Sequence, residues 1–569
     1  MTDPRTLWHP GAARLWLRAA TLSAMIAAAM AALVAVLLAV NHAYLRLADP
    51  LDSPQMTQIK TQLAVAPKDV SLRRQLSDLD SRLRQDYFTR RDMQTRGLWV
   101  LAATVALFVA STRLVVLCRR RLPHPAAHAP PPAPRSSLGR WALAGCTLML
   151  AGAAVLAGWT TAPPAPPAPT WPAPAELAAN WPAFRGFDGS GIGPAAGSST
   201  SFDARSGKGV LWKTPLPLPG HSSPVAWGDR VFLTGGTADK REVYCIAADD
   251  GRMLWVGTVG EIPGREPPPT EILEDTGWAA PTPVTDGKFV VAVFPNGDLV
   301  CYSVEGKPAW AVNLGTPRNG YGHASSLAMY RNLVLVQYDQ GGESDGRSSL
   351  LAFDIATGRQ AYRRPRGVGQ SWTSPIVIAT NAGDQLITCS NPWVIAYQPA
   401  TGTELWRVKC LEGDGGPSAA FAGGLVLAAN ESSMLAAIRP DGQGDVTASR
   451  ITWKYDEAHH LPNICSPVAD AKRAYLLTTE GMLTCLSMAD GRKLWEHNLG
   501  EKCIASPTLA GGLLYVITEK GVVHMLAQAD EYRPVEKADL GEPCQTCPAF
   551  VGGRMFIRTQ KHLLAVGKN

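Results

Sequence analysis

From Ser222 to the C-terminus, apolar residues fall in short runs of alternating or continuous hydrophobicity, too brief for helices and separated by turn residues. The runs repeat one order: small-Ser-Pro, apolar run, Gly, two further apolar runs, Asp-Gly or Thr-Gly, then Trp. The order is visible in SSPVAWGDRVFLTG…YCIAADDGRMLW, PTPVTDGKFVVAV…LVCYSVEGKPAW, TSPIVIAT…VIAYQPATGTELW and CSPVADAKRAYLL…LTCLSMADGRKLW. A repeat of roughly 40 to 50 residues with four short strands is the pattern of a β-propeller blade.

The pairs that open each innermost strand set the count. They are Ser223-Pro224, Thr282-Pro283, Ser326-Leu327, Ser374-Pro375, Ser418-Ala419, Ser466-Pro467, Ser506-Pro507 and Cys547-Pro548. These predict an all-β, eight-bladed propeller over 181–569. The last repeat ends after three strands, so Gly209–Lys213 is expected to supply the fourth and close the ring, which protects otherwise open strand edges. Trp212, Trp255, Trp310, Trp406, Trp453 and Trp495 recur in the outermost strand and are expected to pack between blades. Tyr362 holds this place in the third blade, and the seventh lacks an aromatic there.

Before the repeats the pattern changes to long apolar stretches. Residues 17–40, 98–118 and 141–159 predict three transmembrane helices, making 1–160 a membrane anchor region. Between the first two, residues 41–97 carry Leu72, Leu76, Leu79 and Leu83 at helical spacing after Pro67. This helix is either a short coiled-coil stalk or an amphipathic helix packed locally. Pro-rich tracts at 124–134 and 162–174 read as extended spacers, the second within a linker at 161–180. Arginine in the N-tail and after the second span places both on the cytoplasmic side, although the loop 41–97 is basic as well. The expected location is the inner membrane, multi-pass, with the propeller in the periplasm.

Composition adds two exclusions. The net charge of +6 over 569 residues is small and its basic residues are scattered, so no nucleic-acid partner is expected. The 11 cysteines are dispersed, which fits neither a compact disulfide scaffold nor a zinc ribbon. Cys544-Gln545-Thr546-Cys547 is followed by Pro548, whereas a c-type haem site needs His there. Cys544, Cys547 and Cys503 align at one end of the channel, as small residues filling narrow inner strands or as a local disulfide or metal site.

From Trp181 onward the chain resembles bacterial membrane-anchored PQQ-like repeat propellers. The resemblance rests on WPAFRGFDGSGIG, GHSSPVAWGDRVFL, the segment Leu435-Ala436-Ala437-Ile438 through RPDGQGDVT, and the closing FIRTQKHLLAVG. It implies kinship with the outer-membrane assembly factor propeller, which is a scaffold, and more distantly with quinoprotein dehydrogenases. The latter are implied to need adjacent cysteines against pyrroloquinoline quinone (PQQ), a Trp on its other face, and calcium held by Glu, Asn and Asp. This chain has no adjacent cysteine pair, and no cofactor residue carries over. The expected function is therefore a non-catalytic protein-interaction or scaffold module, with no cofactor and no metal. The alternative is a PQQ-dependent dehydrogenase oxidising an alcohol or sugar.

A partner is expected at the face formed by the loops that enter the inner strands. His221, Trp278, Tyr321, His323, Trp372, His459 and His460 lie just before such strands. Asp339, Glu343 and Asp345 reach the same face, as does an insertion carrying Glu261, Glu266, Glu271, Glu274 and Asp275. Aromatic anchors at one channel mouth fit an interaction surface, and the partner's identity is not written in these residues.

Overall fold

The structure is a computed structural model that describes residues 10–47, 97, 100–116, 171–193, 201–265, 272–273 and 276–567. The chain divides into two compact units, 1–156 and 157–569.

In the first unit a helix runs over Pro10–Leu47, and its Ala19–Asn41 portion is long and apolar enough to cross a membrane. Ala20, Ala24 and Ala27 are buried on one face, a small-residue stripe of the kind that lets helices approach closely. The second expected span is a shorter apolar helix, Val100–Val116. Among the described residues, one helix rather than three meets the length for a span. The third expected span at 141–159 lies outside them, as does nearly all of the expected helix within 41–97.

The second unit holds eight antiparallel sheets. Five are built from consecutive strands, the first of them from Val225–Trp227, Arg230–Gly236, Arg241–Ala247 and Met253–Thr258; in two more, Gly444–Asp445 leaves the fifth blade's run to pair with the fourth. The eighth joins Ala549–Val551, Arg554–Arg558 and His562–Val566 to Val210–Pro215, which pairs antiparallel with His562–Val566. The first and last strands thus share one blade, as the truncated final repeat requires. The core lies in layers between blades, such as Phe232, Cys245, Val290 and Val300 between the first two.

The recurring Trp explains the recurring Gly. Indole N–H groups donate to the next blade: Trp212 to the Ala248 carbonyl at 3.0 Å, Trp255 to Val304 at 2.9 Å, Trp310 to Ile355 at 2.7 Å, Trp453 to Met488 at 2.9 Å and Trp495 to Ala529 at 3.0 Å. Tyr362 does the same through its hydroxyl, 2.9 Å from the Pro399 carbonyl. The rings then cover the neighbouring turn glycine. A Cβ on Gly251, Gly306, Gly358 or Gly491 would come within 2.6 Å of Trp212, Trp255, Trp310 or Trp453 respectively. Trp406 departs from this scheme, because the fifth blade has no such turn. Its Nε1–H meets Gln385 at 2.9 Å, and Gly444–Asp445 adds a short parallel strand beside Trp406 and Arg407. The RPDGQGDVT segment is therefore an edge cover for the fourth blade.

This packing predicts unequal costs for two similar substitutions. Gly491 and Gly512 both have positive φ, at 75° and 79°, but only Gly491 faces an indole. Gly512→Ala should cost about 1 kcal/mol of backbone strain. Gly491→Ala should cost roughly 2–4 kcal/mol, because Trp453 must also move. Urea midpoints of the two variants check this, and equal losses would remove the indole from the explanation.

Candidate site at the channel mouth

Each inner strand begins with a residue whose side chain links it to the previous blade. The backbone N–H of Ser223 donates to Thr282 Oγ1 at 2.9 Å, Thr282 to Ser326 Oγ at 3.0 Å, Ser326 to Ser374 Oγ at 2.9 Å and Ser374 to Ser418 Oγ at 2.8 Å. Ser418 continues to Ser466 Oγ at 3.0 Å and Ser466 to Ser506 Oγ at 2.9 Å. Cys547 N–H returns to Ser223 Oγ at 3.1 Å, and its own thiol lies 3.7 Å from the Ser506 carbonyl. The small polar residue recurs because it satisfies a backbone donor that no sheet ladder can reach. Cys547 occupies the eighth place in this ring. It and Cys544 are free thiols, and burial pushes the Cys544 pKa up to about 11, so it stays protonated at neutral pH.

The ring surrounds a cavity of about 680 Å³, a size common for small-molecule sites. A second tier of lining residues stands two positions earlier in each chain entry: His221, Ala280, Ala324, Trp372, Gly416, Ile464, Ile504 and Gln545. Tyr321, Asp414, Glu431, Asn463, Lys502 and Glu519 add to the wall. Tyr321 and Trp372 meet edge to face with centroids 4.7 Å apart, and Tyr321 and Ile464 are exposed. The Trp372 indole donates to the Gly322 carbonyl at 3.1 Å.

The opposite end carries the segment Trp181–Gly193. Trp181 bridges Ala226 of the first blade, Pro182 accepts from Thr285 of the second, and Gly191 and Gly193 bond Leu509 of the seventh. The segment thereby crosses the ring, and Phe184 reaches the cavity from that side. Arg185 is buried beside it, donating to the Pro467 carbonyl at 2.6 Å, with Nε and Nη1 lacking protein partners. Burial lowers its pKa to about 10, against the opposing field of Cys547 and Asp188, and it remains a cation at neutral pH.

The structure separates the residues expected at the mouth. His221, Tyr321 and Trp372 line the cavity together. Trp278 lines an adjoining cavity of about 560 Å³ between the eighth and first blades, which His221 shares. His323 and Asp339 are not surface groups. His323 is 1% exposed and packs on Tyr338 at 5.1 Å, while Asp339 is 1% exposed and paired with Arg366. His459 is exposed, with φ of 68°, and does not line the cavity. His460 turns to Tyr455, Glu457 and Glu496. Glu343 and Asp345 form an exposed turn and Glu261 is exposed, whereas Glu266, Glu271, Glu274 and Asp275 lie outside the described residues.

Asp339 and Arg366 hold the rim from below. Arg366 Nε donates to Asp339 Oδ1 at 2.7 Å and Nη2 to Oδ2 at 3.2 Å. Asp339 also accepts from Gln337 and Ser371, each at 2.8 Å, while Arg366 reaches Thr388 at 2.8 Å and Tyr397 at 3.0 Å. Desolvation works against the Arg366 cation, yet the Asp339 carboxylate outweighs it and the pKa is raised. Ser371 and Thr373, both bonded to Gln337, flank Trp372. The buried pair therefore joins the third and fourth blades directly beneath the aromatic rim.

These residues do not fit the quinone-and-calcium pattern. Cys544 and Cys547 are not adjacent, and the wall carboxylates are split between the fifth blade, with Asp414 and Glu431, and the seventh, with Glu519. Among the described residues, one trio of carboxylate and imidazole groups has metal-like spacing, Glu457, His460 and Glu496. Lys493 already bridges its two carboxylates at 2.8 and 2.7 Å, and the trio is not part of the cavity wall.

A family model described as outer membrane protein assembly factor BamB matches residues 239–389 and 443–533. The propeller is accordingly one of PQQ-like repeats. No curated protein matches the chain. BamB of Moraxella catarrhalis aligns over 63% of this chain and 98% of its own, at 16% identity and a TM-score of 0.47. The quinohemoprotein alcohol dehydrogenase of Comamonas testosteroni aligns over 69% and 81%, at 13% identity and 0.51. The quinohemoprotein alcohol dehydrogenase ADHIIG of Pseudomonas putida HK5 aligns over 71% and 83%, at 13% identity and 0.50. At these identities the likeness is one of fold.

Proposed function

We propose that this protein is a non-catalytic interaction module that presents its propeller mouth to a protein partner outside the cytoplasm. The observation that carries this reading is the rim of exposed Tyr321 and Ile464 with part-buried Trp372, set on a buried polar network. A large aromatic pair at the edge of a cavity is the kind of anchor that dominates interface energetics. The opposite face needs no such account, since its Asp-Gly turns and their Trp covers are explained by blade packing. The match to a family described as an assembly factor supports the same reading.

The test compares two variants by crosslinking in cells. Tyr321→Ala with Trp372→Ala should lose captured partners by about tenfold or more. Arg252→Glu, on the far face and 71% exposed at its side chain, should leave them unchanged. Loss confined to the far-face variant would reverse the assignment. Absorbance after adding PQQ and calcium tests the enzymatic alternative, and stoichiometric binding with dye reduction by an alcohol would overturn the non-catalytic reading.

The anchor belongs to the same proposal. We place the helix through Ala19–Asn41 across the inner membrane, with further spans at 98–118 and 141–159 and the propeller in the periplasm. Reporter fusions after Arg121 and after Asn569 should report cytoplasm and periplasm respectively. A cytoplasmic signal at Asn569 would sink the localisation.

A further inference from the structure

We propose that the shaft below the rim is a saccharide site, in which the hydroxyl ring and wall carboxylates bind a neutral polyol beneath Tyr321 and Trp372. This site lies below the rim inferred above to hold a protein partner and shares Tyr321, Trp372 and Ile464 with it.

Thr282, Ser326, Ser374, Ser418 and Ser466 each spend an oxygen lone pair on a neighbouring backbone N–H. Their own hydroxyl hydrogens have no acceptor among the described residues, and all five side chains line the cavity. The shaft is therefore ringed by donors awaiting acceptors. A bare cation would gain the carboxylates but would leave those hydroxyl protons without acceptors. An anion would meet Asp414, Glu431 and Glu519, against the single wall ammonium of Lys502. Arg185, buried below, has Asp188 beside it and so offers a bare anion little net attraction. A neutral ligand that both accepts and donates leaves neither the hydroxyl protons nor the carboxylates unpartnered. Its oxygens take the ring protons, and its hydroxyls give theirs to carboxylates and to Gln545 and Asn463.

The walls favour a ring-shaped polyol over a water-like one. Tyr321 and Trp372 stand on one side and Ile464 and Ile504 on the other, so apolar C–H faces have aromatic and aliphatic surfaces to cover. A cavity of about 680 Å³ holds more than one sugar unit and lies in the range of built ligand sites.

Calorimetry and Trp fluorescence with maltotriose, cellotriose and chitotriose as neutral probes, citrate as an anion and trilysine as a cation provide the test. At least one trisaccharide should bind saturably and shift the Trp emission. Ala324→Trp fills the shaft beside Trp372 while leaving Tyr321 and Trp372 themselves unsubstituted, and should weaken that binding about tenfold or more. The same variant should retain captured protein partners, which separates this inference from the interface proposal. Its melting temperature reports whether it still folds, and Glu431→Gln, at an exposed wall position, supplies a second weakened variant if it does not. The proposal is overturned if no trisaccharide saturates, if citrate or trilysine binds in their place, or if Ala324→Trp folds and leaves saccharide affinity unchanged.

Discussion

Asp339→Ala is expected to destabilise the propeller by about 3–5 kcal/mol, the cost of leaving one partner of a buried ion pair without the other. The side chains of Asp339 and Arg366 are both fully buried. The substitution strands the Arg366 guanidinium among Thr388, Ser390 and Tyr397, none of which carries a compensating charge. It also frees Gln337 and Ser371, which bond the same carboxylate. Arg366→Met should cost a similar amount by stranding Asp339. The double variant Asp339→Leu with Arg366→Met should recover much of the loss, because an apolar pair incurs no desolvation penalty. Urea unfolding of the three proteins measures the coupling, and additive losses would show that the pair is not the unit of stability. Because Ser371 flanks Trp372, the single variants should also change the Trp emission before global unfolding.

Much of the propeller was legible because its constraints repeat. The Ser-Pro pairs, the turn glycines and the outer Trp occur once per blade, so each copy supports the others. The truncated final repeat disclosed the shared closing blade for the same reason. The site was legible only by position. Tyr321, Trp372 and His221 converge on the mouth as their places before inner strands imply. His323 lies in an entry loop and Asp339 in the loop after Leu333–Tyr338, and both are buried, because side-chain direction in these loops depends on contacts with neighbouring elements. Asp339 points inward because Arg366, 27 residues later, meets it there, and nothing periodic announces such a pair. The hydroxyl ring was visible as eight aligned small residues. Its chemistry was not, since the proton each hydroxyl leaves unspent follows from bonds between blades.

The stability of the propeller should fall between pH 6.5 and 4, with His323 responsible for about 3 kcal/mol of the loss. His323 is buried against Tyr338, its Nε2 has no hydrogen-bond partner, and desolvation lowers its pKa to about 4. Asp339 pulls the other way, but Arg366 already engages that carboxylate. Above pH 6.5 the imidazole is neutral in both folded and unfolded chains, so the full stability is present. As the pH falls below 6.5 the unfolded chain takes up a proton that the folded protein refuses, and unfolding gains free energy until the pH reaches about 4. His524 is shifted in the same direction, also to about 4, by burial and the nearby Lys537. Two protons should therefore be taken up on unfolding across this window. His323→Phe keeps a ring against Tyr338 and removes one of them. The slope of unfolding free energy against pH, measured in urea from pH 7 to 4.5, should drop by roughly half in this variant. An unchanged slope would mean that His323 is protonated within the folded protein, and its buried position would then need another partner.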